Sequence, residues 1–309
     1  MSVGKPLGLS ADAALTAAAA AGELDLSGFA PAGFKCRQLV KHADLKRASQ
    51  LYTEVFKYSD ATLFLNPYLL SALSQNGGST VGVFDGRDLI GFAYGFPAVA
   101  GGKNNIPGTV YHYSQAAVVA ESHHGAGIGK ALKLAQAEVA RAWGCTEMRW
   151  TFDPKLTRNA RFNFNGLGAT GIAYLDDYYR TTNSDRILVS WDLSAHETGQ
   201  TAARAAALKS LRSEYPPELT ALNWAFAAEI DAHELASQNA VVSACWVPVP
   251  ANLGSIDNSN DPAAPDPEHI AQQLRATLTA LFADGYQLIA CNRREDTAAY
   301  LAVKWRNED

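Results

Sequence analysis

The residues best suited to chemistry lie in "AAVVAESHHGAGIGKALKLAQAEVARAWG", Ala116 to Gly144, where an apolar run breaks at Gly125, Gly127 and Gly129 and an amphipathic helix follows. A strand that ends in a glycine-rich turn and opens a helix is an anion site. Its backbone N–H groups point outward, and the helix dipole adds partial positive charge. The same glycines also suit a tight turn with close packing, because glycine tolerates positive φ. Two phosphate motifs fail on single residues. A P-loop needs glycine at position 124 and a hydroxyl at 131, where the chain has His124 and Ala131. A dinucleotide fingerprint needs glycine at position 130, which is Lys130. What remains is His124, two further residues and Gly127-x-Gly129, with His124 and Lys130 placed to supplement the amides.

Proton-transfer chemistry has its own candidates just upstream, in the strand "TVYHYSQAAVV". Histidine titrates near neutrality, so His112 suits a general base. Strand alternation puts His112 and Ser114 on one face and Tyr111 and Tyr113 on the other, unless a bulge shifts the parity. A strand histidine also serves packing, and both readings stand for His112. Tyr178 and Tyr179 are alternative acids, with core packing the favoured reading of both. Asp153 is read as the cap of the turn "DPKLTRN". Cys145 lacks an activating partner and is read as packing. His123 and His124 are adjacent on a turn, the other histidines are scattered and no HExxH occurs, so no metal is expected.

These residues need a scaffold, and regular patterning begins at Phe34. "FKCRQLV" reads as a strand, Asp44 to Phe56 as a helix with an apolar stripe, and Tyr68 to Leu73 as a further helix behind Pro67. "STVGVFDGRDLIGFAYGF" is a hairpin turning at Asp85-Gly86. After the glycine helix, with its buried stripe Ile128, Leu132, Ala135, Val139 and Trp143, "EMRWTFDP" returns as a strand and completes a parallel crossover. A helix from Arg158 to Leu167 ends at Gly168, and "DRILVSWDL" is a strand. A helix over Ala203 to Arg212 then leads to the boundary "SEYPPEL". The last third holds the strand "VVSACWVPVP", a polar loop, a helix capped by Asp266-Pro267, and two closing strands.

The chain of 309 residues is 48% apolar and carries a net charge of −5, so one large or two ordinary domains are expected and neither nucleic acid nor an anionic membrane is an expected partner. No apolar run reaches the roughly 20 residues of a membrane helix. The four cysteines, Cys36, Cys145, Cys245 and Cys291, are far apart, which fits reduced thiols in a cytoplasmic protein. The expected division is an N-terminal arm (1–32), a main domain (33–195) and a smaller C-terminal αβ domain (196–309).

The strand "AAVVAES", the run His124 to Gly129 and the later "RNARFNFNGLGA" together resemble the GCN5-related N-acetyltransferases (GNAT superfamily). "WTFDPKLTRNARFNFNGLGA" with "DRILVSWDL" is similar, more narrowly, to a subgroup of predicted acyltransferases with a C-terminal extension, some associated with N-acylation of amino acids. The resemblance covers about half the chain. It implies a mixed α/β fold with a central, mostly antiparallel sheet and acyl-CoA as co-substrate, with no metal. Pantetheine would pair with Ala117, Val118 and Val119. The diphosphate would sit on the amides of Gly125, Ala126, Gly127, Ile128, Gly129 and Lys130, helped by His124. Asn159 and Asn163 would bond the pantetheine amides, or else cap locally. The acyl group, acetyl or succinyl, would pass directly to a small amine such as an amino acid. His112, Ser114 and Tyr178 are the catalytic candidates. The family's usual acid, a tyrosine, falls at Phe164, which has no proton to give. That departure keeps open a CoA-binding module without turnover. A third class, another nucleotide-binding enzyme, is weaker, and a homodimer is left open.

Overall fold

The structure is a computed structural model that describes residues 24–101, 108–194, 224–230, 240–255 and 266–306, with isolated positions at 206 and 210. The chain divides into two compact units. The first takes residues up to Arg149 and returns for Asp192–Ser194; the second takes Trp150–Trp191 and the chain from Ala195 onward.

In the first unit the strands lie in the order β1 (Lys35–Gln38), β2 (Ser79–Asp85), β3 (Asp88–Val99), β4 (Val110–Val119) and β5 (Glu147–Phe152), the last of which runs on into the second unit. The expected hairpin is β2–β3, closed where Asp85 pairs with Asp88 and Gly86 takes a positive φ of 54°. Neighbours up to β4 are antiparallel, and β4–β5 is the parallel crossover. Three helices cover this sheet. α1 (His42–Phe56) and α2 (Pro67–Gln75) bury Leu45, Ala48, Leu51 and Leu70 against Phe92, Tyr94 and Val118. Asn66 caps α2 by accepting from the Tyr68 amide, with Pro67 in the first turn. On the opposite face, α3 (Ile128–Ala142) sets Ile128, Leu132, Ala135 and Val139 against Val81, Val83, Ile90 and Ala93, with Trp143 partly buried beside them. The period of this stripe matches a helix turn, so one face is apolar throughout. Gly144, at φ 79°, ends α3 while its amide and that of Cys145 satisfy the last carbonyls. Of the expected N-terminal arm, residues 1–23 lie outside the described residues. Leu26 is buried in the α3 cluster with Phe29 and Phe34 around it.

The second unit holds the end of β5, α4 (Thr157–Arg161) widening into a π turn over Phe162–Gly166, β6 (Thr170–Leu175), β7 (Arg186–Asp192), β8 (Ala228–Glu229), β9 (Val241–Pro250), α5 (Pro267–Ala283), β10 (Gln287–Arg294) and β11 (Thr297–Trp305). Its strand order is β7-β6-β10-β11-β9-β8. The sequence β9, α5, β10, β11 repeats the plan of β5, α4, β6, β7, and β6 meets β10 antiparallel at Gly171 and Leu288. Asp266 caps α5 through the amides of Glu268 and His269, as its spacing predicts. Ile270, Leu274 and Leu278 form the buried stripe of α5. The expected helix over Ala203 to Arg212, the "SEYPPEL" boundary and most of the following polar loop fall largely or wholly outside the described residues.

Candidate functional site

The end of β4 delivers the chain into the glycine turn. Ala117, Val118 and Val119 pair with Ala93, Phe92 and Gly91 of β3, whereas the β4–β5 register consists of His112 with Met148 and Tyr113 with Arg149. Along Ser114–Val119, β4 therefore has a ladder partner on one side only, among the described residues of this unit. The β3–β4 register slips between Tyr94–Ala116 and Gly95–Ser114, which leaves Gln115 as a one-residue bulge.

Beyond β4 a single 3-10 turn, Glu121–His123, leads to His124 in extended conformation. Gly125 (φ 84°) and Gly127 (φ 80°) both sit in the left-handed region, where a Cβ is strained. A Cβ on Gly125 would meet nothing within 4 Å, and one on Gly127 only Pro31 at 3.5 Å, so open space lies above both. Gly127 is the N-cap of α3 and brings no side-chain cap. The amides of Gly125, Gly127, Ile128, Gly129 and Lys130 have no backbone acceptor among the described residues, whereas Ala126 donates to His123 and Ala131 to Gly127. Five orphan donors at the positive end of a 15-residue helix have the geometry that suits an anion. Lys130 and His124 are exposed at the rim of this turn. His124 donates from Nε2 to the Val119 carbonyl at 3.1 Å, which fixes its tautomer and ties the rim to β4. His123 is held by Ser122 at 2.9 Å and Asp85 at 3.6 Å.

The proton-transfer candidates sit in different surroundings. His112 and Ser114 share a face, as alternation predicts, and that face is the buried one toward α3. His112 is 0% exposed, and its Nε2 lies 2.9 Å from Ser79 Oγ. Burial, with the nearby Lys133 charge second, pushes its pKa down to about 4. On the other face of β4 the Arg149 guanidinium stacks 4.5 Å over Tyr111 while holding Glu147 with two bonds.

Tyr178 belongs to the second unit, half-exposed in the β6–β7 loop with its ring edge on Tyr179. In the same unit Asn159 is exposed on α4. Asn163 is buried and accepts from the Trp150 indole at 3.2 Å, a partner 13 residues away rather than a local cap. Asp153 caps its own turn through the Lys155 amide. Phe164 is fully buried between Phe152 and Tyr300 in edge-to-face contacts.

Sequence reasoning missed Lys133 and Gln136. Both are buried on α3 and bonded to the β4 candidates. Lys133 lies off the apolar stripe of the helix, so the period of that stripe does not mark it. Burial raises the pKa of all four cysteines, Cys145 included, so they are weaker nucleophiles than a free thiol. Among the described residues no cluster of His, Cys, Asp or Glu could hold a metal ion, and no helix is long and apolar enough to cross a membrane.

The first unit thus combines a mixed, mostly antiparallel sheet with a glycine turn that opens a helix after the fourth strand. Residues 45–164 match the model of the Acetyltransferase (GNAT) family. Among solved structures the chain is similar to yncA of Salmonella typhimurium with its cofactor acetyl-CoA (17% identity, TM-score 0.43, 54% of this chain and 97% of that one). It is also similar to the ribosomal-protein-S18-alanine N-acetyltransferase of Escherichia coli (12%, TM-score 0.41, 54% and 97%). A third likeness is NAA60 of Arabidopsis thaliana in complex with acetyl-CoA (15%, TM-score 0.42, 52% and 99%). No curated protein sequence matches the chain.

Proposed function

We propose that the chain is an acyl-CoA-dependent N-acyltransferase that moves an acetyl or succinyl group directly from the thioester to the amino group of a small molecule, an amino acid or a related amine. The observation that carries this reading is the set of orphan amides of Gly125 and Gly127 to Lys130 beside a strand edge with a one-sided ladder. A diphosphate supplies the oxygens that those donors lack, and the open space above Gly125 and Gly127 lets it approach the backbone. Main-chain groups of Ala117, Val118 and Val119 are suited to pairing with pantetheine amides, and Lys130 and His124 add donors at the rim. Of the two asparagines, exposed Asn159 is the better ligand, because the Asn163 carbonyl already serves Trp150.

In the reaction the amine nitrogen attacks the thioester carbonyl. A C–N bond forms, the C–S bond breaks, the ammonium loses a proton and the departing thiolate gains one. Phe164 cannot supply that proton. Tyr178, with Tyr179 beside it, is the candidate acid, and both residues are exposed.

Calorimetry with acetyl-CoA, succinyl-CoA and ATP tests the donor class, with binding expected for a CoA thioester and not for ATP. Gly127→Trp is expected to weaken thioester binding at least tenfold, since a side chain there meets both the φ of 80° and the ligand's space. Its unfolding transition should shift only slightly. Thiol release across a panel of amines then identifies the acceptor. A second reading is favoured by the ring at Phe164: a module that binds CoA without turnover, seen as binding with no thiol release for any amine.

A further inference from the structure

Beneath β4, on the α3 face of the first unit, five buried polar side chains form one line. Lys133 Nζ donates to Ser114 Oγ at 2.8 Å. Ser114 in turn donates to Gln136 Oε1 at 2.8 Å, and Gln136 Nε2 donates to Ser79 Oγ at 3.1 Å. Ser79 Oγ lies 2.9 Å from His112 Nε2. All five residues are buried, and His112, Ser79 and Gln136 are 0% exposed.

The direction of the last bond follows from the others. Ser79 already accepts from the Gln136 amide, and its own proton has His112 Nε2 as its acceptor within the line. In the reverse arrangement Ser79 would receive two donors while its hydroxyl proton had no acceptor among the described partners, a costly state in a dry interior. Nε2 is therefore the acceptor, and the ring proton is on Nδ1. His112 Nδ1 is itself buried with no hydrogen-bond partner among the described residues.

The surroundings fit a neutral ring. His112 pairs with Pro97 of β3 and Met148 of β5, and the ring fills space that Gly95 leaves, where a Cβ would come 2.5 Å from Nε2. From β2 it meets the neutral Ser79, and from α3 the charge acting on it is that of Lys133. No carboxylate appears among these contacts to favour an imidazolium.

We propose that the donor chain from Lys133 fixes His112 as the neutral Nδ1–H tautomer, so that Lys133 is a positioning residue and His112 is not the proton acceptor of acyl transfer. The second half of this statement rests on the acyltransferase reading; the tautomer does not. One lone pair could make the ring a base, and Ser79 occupies it. The proton lost by the amine must leave by another group or by water.

The test is nitrogen NMR of the full chain carrying 15N-histidine, with His112 assigned by its absence in His112→Gln. His112 is expected to show a protonated Nδ1 and a bare Nε2, unchanged from pH 5 to 8. Lys133→Met removes the charge and the head of the chain, and the His112 midpoint should then rise by roughly one unit, the scale of a neighbouring like charge. If that variant does not fold, Ser79→Ala serves, and the expected change is a shift of the Nε2 resonance as its donor disappears. An imidazolium or an Nε2–H tautomer in the wild type between pH 6 and 7 would overturn the proposal. So would an acid limb in kcat/KM near pH 6.5 that vanishes in His112→Gln. Thiol release that stays absent while the tautomer holds would count against the acyltransferase reading alone and leave the donor chain standing.

Discussion

The interiors of the two units treat polarity in opposite ways. In the first, a lysine, a histidine, a glutamine and two serines are buried together and satisfy one another in a directed line. In the second, Phe152, Phe164 and Tyr300 meet edge to face, and the one hydroxyl among them is spent on the Pro154 carbonyl. The resemblance leads one to expect a base on β4 and an acid at position 164. The chain instead has an occupied imidazole at the first and a sealed ring at the second. A residue of the right type at the right spacing is thus not yet a catalyst. What decides is whether its proton-carrying atom is left uncommitted by its neighbours.

The comparison breaks first at Phe164. Phe164→Ala removes a ring that is fully buried, and chemical denaturation should read a loss of about 3–5 kcal/mol. A loss below about 1 kcal/mol would mean that the aromatic cluster is loose enough to admit chemistry.

The polar line is tested through its charge. Burial lowers the Lys133 pKa from 10.5 to about 7. Between those values the unfolded chain binds the proton more readily than the folded one, so stability climbs with pH across that window, and below it the penalty is complete. Lys133→Met should therefore stabilise the protein at pH 6, by no more than the roughly 5 kcal/mol ceiling set by the size of the shift, and the gain should fade as pH approaches 10.5. Thermal unfolding across that range checks the sign. Destabilisation at pH 6 would show that the lysine's bonds outweigh its buried charge.

The smallest expected effect is at Tyr300→Phe. It removes the donor to the Pro154 carbonyl and should cost on the order of 1 kcal/mol, with thiol release unchanged. A selective loss of turnover would sharpen the contrast in a new direction, by making Tyr300 the hydroxyl that Phe164 lacks.

Much of the scaffold could be read from local signals. The pair Asp85-Gly86 announced a hairpin, Asp266-Pro267 a helix start, and the alternating glycines a turn that opens a helix, because each depends on residues adjacent along the chain. The apolar stripe of α3 was equally legible from its period. What escaped was built from distant positions. Ser79 and Gln136 are 57 residues apart, and no spacing rule links them. Lys133 resembles any solvated helix charge until the opposing strand is known. Asn163 matched a ligand position, yet it meets an indole whose approach only the folded chain creates. The facing of His112 also hung on Gln115, since one bulged residue changes which side chains share a face beyond it.

The mirrored plan of the second unit has a consequence for how this molecule meets others of its kind. β10 lies along β6, with Leu288 tucked 3.0 Å from the point where Gly171 would carry a Cβ. An unpaired β6 would be an adhesive border, able to recruit a foreign strand through main-chain bonds alone. Where Leu288 pairs with Gly171, the chain's own β10 takes that border and leaves no room there for a foreign strand.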